Sequence, residues 1–246
     1  MLQFTAKPEV LRAIVDILST IVEEARMVFD KDKVQIRVVD ASHVALIEME
    51  VDGTAFEAWN ADETTLGLEL QKMRDLVSLA GSDDLIDFTY DEGLGSVNMV
   101  VGDVDRTIRP LDHSIMKNPR VPDLELKNKA TIQTSKFNRA LKAAKQVGDL
   151  VTLSLDPQQF SLHVSNDQDS VTVSHEAGQL VALECDSPVK STYSIGYLAQ
   201  LIARVDGITE SIDVLFDDKM PLRIEFTFAD GAGRMIYFLA PRIEDA

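Results

Sequence analysis

Lys136, Arg139, Lys142 and Lys145 recur every three residues through a stretch, Thr134–Val147, that holds no acid. Its apolar members Phe137, Ala140, Leu141, Ala144 and Val147 follow helical spacing, and at 100° per residue the four cations fall on the opposite half. Such a face presents ammonium and guanidinium donors to phosphate oxygens without reading bases. A plain solvated helix also places charge opposite its apolar stripe. The background sharpens the pattern here, because the whole chain has 24 Lys and Arg against 41 Asp and Glu, a net charge of −17.

Other residue sets that could do chemistry lack the spacing for it. His43, His113, His163 and His175 show no metal-ligand spacing, and His175-Glu176 lacks the second histidine of a zinc helix. Asp40-Ala41-Ser42-His43 holds the residue types of a nucleophilic relay, but residues one to three apart at a strand end cannot converge as one. Gly93-Leu94-Gly95 and Gly231-Ala232-Gly233 sit in hairpin-like contexts without the rest of a phosphate loop, and Asp83-Asp84 and Asp217-Asp218 read as turn residues. Cys185, alone, allows no internal disulfide and no cysteine zinc cage, and reads as a small strand residue. No catalytic residue, metal or cofactor is expected.

The elements that must position the cations come in a repeated order. Four segments carry helical spacing: 7–22 (Leu11, Ile14, Val15, Leu18, Val22), 69–80 (Leu70, Met73, Val77, Ala80), 134–147, and 192–204 extended by Val205 (Leu198, Leu201, Ile202). Alternating runs such as 34–39, 44–51, 160–164, 170–174 and 222–228 predict strands. Each half reads strand, helix, several strands, helix, several strands, and the halves repeat at about 126 residues. Leu11-Arg12-Ala13 answers to Asn138-Arg139-Ala140, and Arg106-Thr107-Ile108 to Arg234-Met235-Ile236. The expected fold is α+β, with domains at 1–111 and 127–246 and a Pro-containing connector at 112–126.

With 45% hydrophobic residues the chain can bury a core, and its longest run without Asp, Glu, Lys or Arg is 13 residues, below the ~20 of a membrane helix. No basic-then-apolar leader follows Met1, so an intracellular protein is expected. Across the four helical segments Lys7, Arg12, Lys72, Arg74, Lys136, Arg139, Lys142, Lys145 and Arg204 stand against Glu9, Asp16, Glu69 and Asp75, giving +5 and leaving −22 elsewhere. Basic helices on one surface would hold a phosphate backbone. Without aromatic residues interleaved among the cations, duplex is the expected ligand rather than single strand.

Asp40-Ala41-Ser42-His43-Val44-Ala45-Leu46, the connector, Met220-Pro221-Leu222 and Tyr237-Phe238-Leu239-Ala240-Pro241-Arg242-Ile243-Glu244-Asp245 together resemble the sliding clamps of the proliferating cell nuclear antigen family, most closely the archaeal members, along the whole chain. The resemblance implies two similar clamp domains, each a repeated β-α-β-β-β unit, and three chains closed into a ring with helices lining the hole. Three copies would bring +15 to that hole. Arg12, Arg139 and Lys142 match inward basic positions of the family; Lys136 and Lys145 join them on charge and geometry. Lys72, Arg74 and Arg204 lie a residue or two from the usual basic positions, and Lys7 opens the first helix.

The resemblance also implies a pocket for partner peptides carrying a glutamine and a hydrophobic–aromatic plug, formed by Val39, His43, Val44, Leu46, Leu124, Leu126, Pro221, Phe238, Ala240, Pro241 and Ile243. Partners of the family include replicative DNA polymerase, clamp loader, flap endonuclease and DNA ligase. The connector departs from the family pattern in carrying Lys117 and Arg120 where acids are usual. Ring closure would pair Asp105–Leu111, with Arg106, Arg109 and Leu111, against Gln179–Asp186, with Leu180, Ala182 and Glu184. The expected role is a non-enzymatic, DNA-associated clamp, cytoplasmic or at the nucleoid if archaeal and nuclear if eukaryotic. The alternatives are a subunit of a heterotrimeric or checkpoint-type clamp, and a monomeric α+β enzyme.

Overall fold

The computed structural model describes residues 1–243, so Glu244 and Asp245 of the C-terminal motif lie outside the described residues. The chain divides into two compact units, Met1–Arg120 with Thr227–Met235, and Val121–Phe226 with the segment from Ile236.

Unit one runs β1 (Leu2–Ala6), α1 (Pro8–Leu18), β2 (Glu24–Phe29), β3 (Lys33–Val39), β4 (Ala45–Asp52), β5 (Ala58–Ala61), β6 (Thr64–Glu69), α2 (Leu70–Val77), β7 (Ile86–Asp91), β8 (Ser96–Val101) and β9 (Val104–Ile108). One antiparallel sheet has the order β5-β1-β7-β8-β9, and β6, β2, β3 and β4 pair in that order in another. The strands alternate buried and open residues because one face packs inward, as in β3, where Val34, Ile36 and Val38 are buried. Stacked rings of Phe4 and Phe88, 4.6 Å between centroids, sit in this core.

Unit two repeats the plan with β10 (Lys129–Gln133), α3 (Thr134–Ala144), β11 (Leu150–Leu155), β12 (Gln159–Ser165), β13 (Ser170–Glu176), β14 (Ala182–Glu184), β15 (Val189–Ser194), α4 (Ile195–Val205), β16 (Ser211–Leu215) and β17 (Leu222–Phe228); β18 (Gly233–Leu239) follows. One antiparallel sheet has the order β13-β12-β11-β15, and β14, β10, β16 and β17 pair in that order. Two α+β units of matching element order are therefore present. The glycine pairs lie in the β7–β8 and β17–β18 turns, where Gly95 and Gly231 take positive φ of 60° and 91°.

Three of the helices end earlier than their apolar spacing suggests, while α4 runs to Val205 as its spacing implies. Val22, Ala80 and Val147 all lie past the final turns. After α1, the Ser19 and Thr20 hydroxyls donate to the carbonyls of Val15 and Ile17, both at 2.6 Å, and the Thr20 N–H turns to Ile17 in a tighter i→i+3 bond that ends the α-helix. Cys185 lies beyond β14 rather than in a strand, its Sγ donating to the Ser187 carbonyl.

The two expected edge strands are both shorter than the expected ranges. Strand structure covers Val104–Ile108 rather than Asp105–Leu111, because Pro110 has no N–H to give; Leu111 returns by a single bridge to Gly67. Within Gln179–Asp186 only Ala182–Glu184 is strand. Gln179 instead closes a 3₁₀ turn whose capping box pairs it with Glu176.

Candidate nucleic-acid interface and partner-binding surface

In unit two, α3 buries Phe137, Ala140, Leu141 and Ala144 and leaves Arg139 and Lys142 in solvent. Lys145 stands at the C-cap, where the helix dipole favours a cation. Arg139, Lys142, Lys145 and, on α4, Arg204 have no ion pair among the described residues. Lys136 reaches the Gln179 carbonyl at 3.0 Å. Asn138 fastens α3 to the end of α4 by donating to the Asp206 carboxylate at 2.7 Å.

Beneath this face sits His175 of β13, buried and, among the described residues, with no hydrogen-bond partner at Nε2. Burial, then the charges of Lys136 and Arg139, hold its imidazole below the ordinary histidine range. The Ser170–Glu176 alternation places His175 in register with the half-buried Val171 and Val173, the signal that would have marked it as inward-facing.

Unit one treats its cations differently. Lys7 pairs with Glu57 at 3.3 Å, Lys72 with Glu69 at 2.5 Å, and Arg74 of α2 with Asp16 of α1 at 3.1 Å. Arg12, at the position answering to Arg139, extends toward the Val77 carbonyl at the end of α2, 3.5 Å away. The helical charge of unit one is thus largely neutralised in place, and the helical cations without an ion pair among the described residues, Arg12 apart, lie in unit two.

The Asp40–His43 turn is built by its carboxylate. Asp40, 5% exposed, accepts from the backbone N–H groups of Ser42, Val44 and Ala45 at 3.0, 2.7 and 2.7 Å. That carboxylate shapes the turn, and His43, at φ 57°, turns its ring toward Lys117 at 2.9 Å. Of the residues assigned to the partner pocket, unit one places Val39 and Val44 half-buried, His43 exposed and Leu46 in its core. In unit two, Leu124, Leu126, Pro221, Ala240 and Pro241 are half-buried and Ile243 exposed. Phe238 is 5% exposed and packs as core.

Of the residues assigned to subunit contact, Arg109 is exposed, while Arg106 already donates to the Lys72 carbonyl at 3.1 Å. Leu111, Leu180 and Ala182 are half-buried. Glu184 faces Lys129 across the β10–β14 pair, 2.5 Å away, and this contact raises the Lys129 pKa. No group of three or more His, Cys, Asp or Glu among the described residues is placed to hold a metal.

Two α+β units of matching element order, the second with exposed cations along α3, define the class of sliding clamps. The descriptions of the proliferating cell nuclear antigen N-terminal and C-terminal domains match residues 2–117 and 120–242. The chain belongs to that family. The DNA polymerase sliding clamps of Methanoculleus marisnigri and Methanocella arvoryzae are 32% and 30% identical to it, each over 99% of both chains. The archaeal clamp of A. fulgidus, solved with the C-terminal region of FEN-1, superposes at TM-score 0.93 with 25% identity over 100% of both chains. That of Thermococcus kodakaraensis superposes at 0.90 over 98% of this chain and 100% of its own, at 20% identity.

Proposed function

We propose that this chain works as a DNA polymerase sliding clamp: a non-enzymatic homotrimeric ring around duplex DNA that tethers polymerase, clamp loader, flap endonuclease and ligase through short peptides. The carrying observation is the α3 face, where Arg139, Lys142 and Lys145 stand exposed without an ion pair among the described residues, in a protein of net charge −17. Cations left unpaired where acids outnumber them await an external anion, and a phosphate backbone supplies one without sequence preference. A closed ring stays on DNA by topology, so weak contacts screened within ~8 Å at physiological salt are sufficient and permit sliding. In that ring Lys7, Arg12, Lys72, Arg74, Lys136 and Arg204 also face the hole, those of unit one with smaller effect because they are already engaged within the chain.

Partner peptides bury their apolar plug against the half-buried Val39, Val44, Leu126, Pro221 and Pro241, with Leu46 and Phe238 supporting from the core. Ring closure uses the free edge of β9, with Arg109 and Leu111. The observed pairings favour β13 as its partner, flanked by Leu180 and Ala182. It is an unpaired edge of seven residues, whereas β14 has three and its Glu184 is engaged by Lys129. In an archaeal cell such a ring resides at the nucleoid.

The test replaces Lys136, Arg139, Lys142 and Lys145 together by Ala and measures clamp loading and retention on circular duplex DNA. Loading should fall at least about fivefold while native mass is unchanged, each lost phosphate contact weakening binding and its salt dependence. Wild-type loading by the quadruple variant would refute the inner-face assignment.

A further inference from the structure

The stretch His113–Pro122 carries Lys117 and Arg120 and no acid, inside a chain where acids outnumber bases 41 to 24. Both side chains are exposed, and neither has an ion-pair partner among the described residues. The Lys117 ammonium donates to the His43 imidazole Nε2 at 2.9 Å. A carboxylate makes a stronger, charge-assisted acceptor for an ammonium than an imidazole nitrogen does.

The strip stands on a fixed base. Leu111 N–H donates to the Gly67 carbonyl at 2.8 Å, and the Met116 sulfur lies where a Cβ on Gly67 would come within 2.6 Å. Asp112 caps the His113–Ile115 turn by accepting from the Ser114 N–H and hydroxyl at 2.9 and 2.6 Å. On that turn Ile115 is 83% exposed, the most open large hydrophobic side chain among the described residues. A held-out aliphatic side chain beside two cations is a binding surface in composition, not a core fragment; of the acids that border it, Asp112 is committed to the Ser114 N–H and hydroxyl, and Asp123 lies beyond Arg120.

We propose that Ile115, Lys117 and Arg120 form a recognition strip for acidic peptide segments, so that this clamp selects partners carrying Asp or Glu beside an apolar residue next to the plug. The proposal rests on the partner-docking reading and adds the charge of the partner. Charge complementarity decides the occupant. At −17 the molecule as a whole repels acidic peptides, but at physiological salt that repulsion is screened within ~8 Å. Local charge therefore governs, and Lys117 and Arg120, three residues apart, are at most ~11 Å apart along the backbone, within reach of two carboxylates of one peptide.

The experiment uses two fluorescein-labelled synthetic peptides with the same glutamine and hydrophobic–aromatic plug, one flanked by Glu-Asp-Glu and the other by Lys-Lys-Lys. Each is titrated into the full chain by fluorescence anisotropy at about 50 mM and at about 500 mM salt. The acidic peptide should bind roughly fivefold to tenfold tighter at low salt, with the difference shrinking at high salt. Lys117→Glu with Arg120→Glu should reverse the preference, and Arg120→Ala alone should halve it or more. Equal affinities, or a preference unchanged by either variant, overturn the charge inference and leave partner docking standing. Binding of neither peptide overturns both.

Discussion

Burial and two cations act on His175 in the same direction, and stability inherits the consequence. In the unfolded chain the ring takes a proton near its ordinary pKa of 6.5; in the folded chain its pKa lies lower, from burial first and then from Lys136 and Arg139. A base whose pKa falls on folding leaves stability intact above 6.5. As pH drops below that value the unfolded state binds the extra proton, so stability falls, by at most ~1.4 kcal/mol per pH unit, until the folded ring titrates as well. Between pH 7.5 and 5.5 the wild type should thus lose more stability than His175→Gln, read from urea midpoints at each pH. Parallel losses in the two proteins would show that His175 carries no such linkage. The alternation read over 170–174, carried one residue further, would have placed this ring inward, whereas the absence of a partner at Nε2 among the described residues is a property of packing that no local pattern encodes.

At the scale of elements, the helices were legible because their apolar stripes are strong, and most of their ends were not, because side-chain hydroxyls and caps decide ends. The α3 cations were legible for the same reason as its stripe. In unit one the basic residues read the same way in sequence, but acids distant along the chain or one turn away neutralise them: Arg74 meets Asp16, 58 positions earlier. Pairing between helices is tertiary and leaves no local trace. The seat of the connector was equally hidden. Nothing around Gly67 marks it, yet an alanine there would bring its Cβ to 2.9 Å of the Leu111 carbonyl as well as 2.6 Å of the Met116 sulfur. The thioether can swing away, but the backbone carbonyl must move, breaking the Leu111–Gly67 bridge. Gly67→Ala should therefore leave the sheets intact and loosen 111–120, so that trypsin cuts after Lys117 and Arg120 several times faster than in the wild type. Unaltered cleavage rates would mean that the connector is held by other contacts.

The molecule as a whole poses a problem of edges and of sign. The β5-β1-β7-β8-β9 sheet of unit one has β9 at one edge and the β13-β12-β11-β15 sheet of unit two has β13 at one edge, and an exposed edge recruits another strand. In the proposed ring, pairing β9 of one copy with β13 of the next would use both, and three such contacts would close it with neither left open. The charge balance favours that closure only if cations sit at the seam, since each copy carries −17. Arg109, exposed just past the end of β9, is free to do this, while Arg106 is held by the Lys72 carbonyl. β13 ends in the exposed Glu176, so Arg109→Glu would set acid against an acidic neighbour. Light scattering on the wild type should give a mass near three times 27.2 kDa. Arg109→Glu should dissociate at higher protein concentration than the wild type at low salt. Added salt should restore part of the trimer by screening the new repulsion, with each surface pair worth at most about 1 kcal/mol. A trimer equally stable in the variant would remove Arg109 from the seam. A monomer in the wild type at every salt would instead make this chain one subunit of a mixed ring.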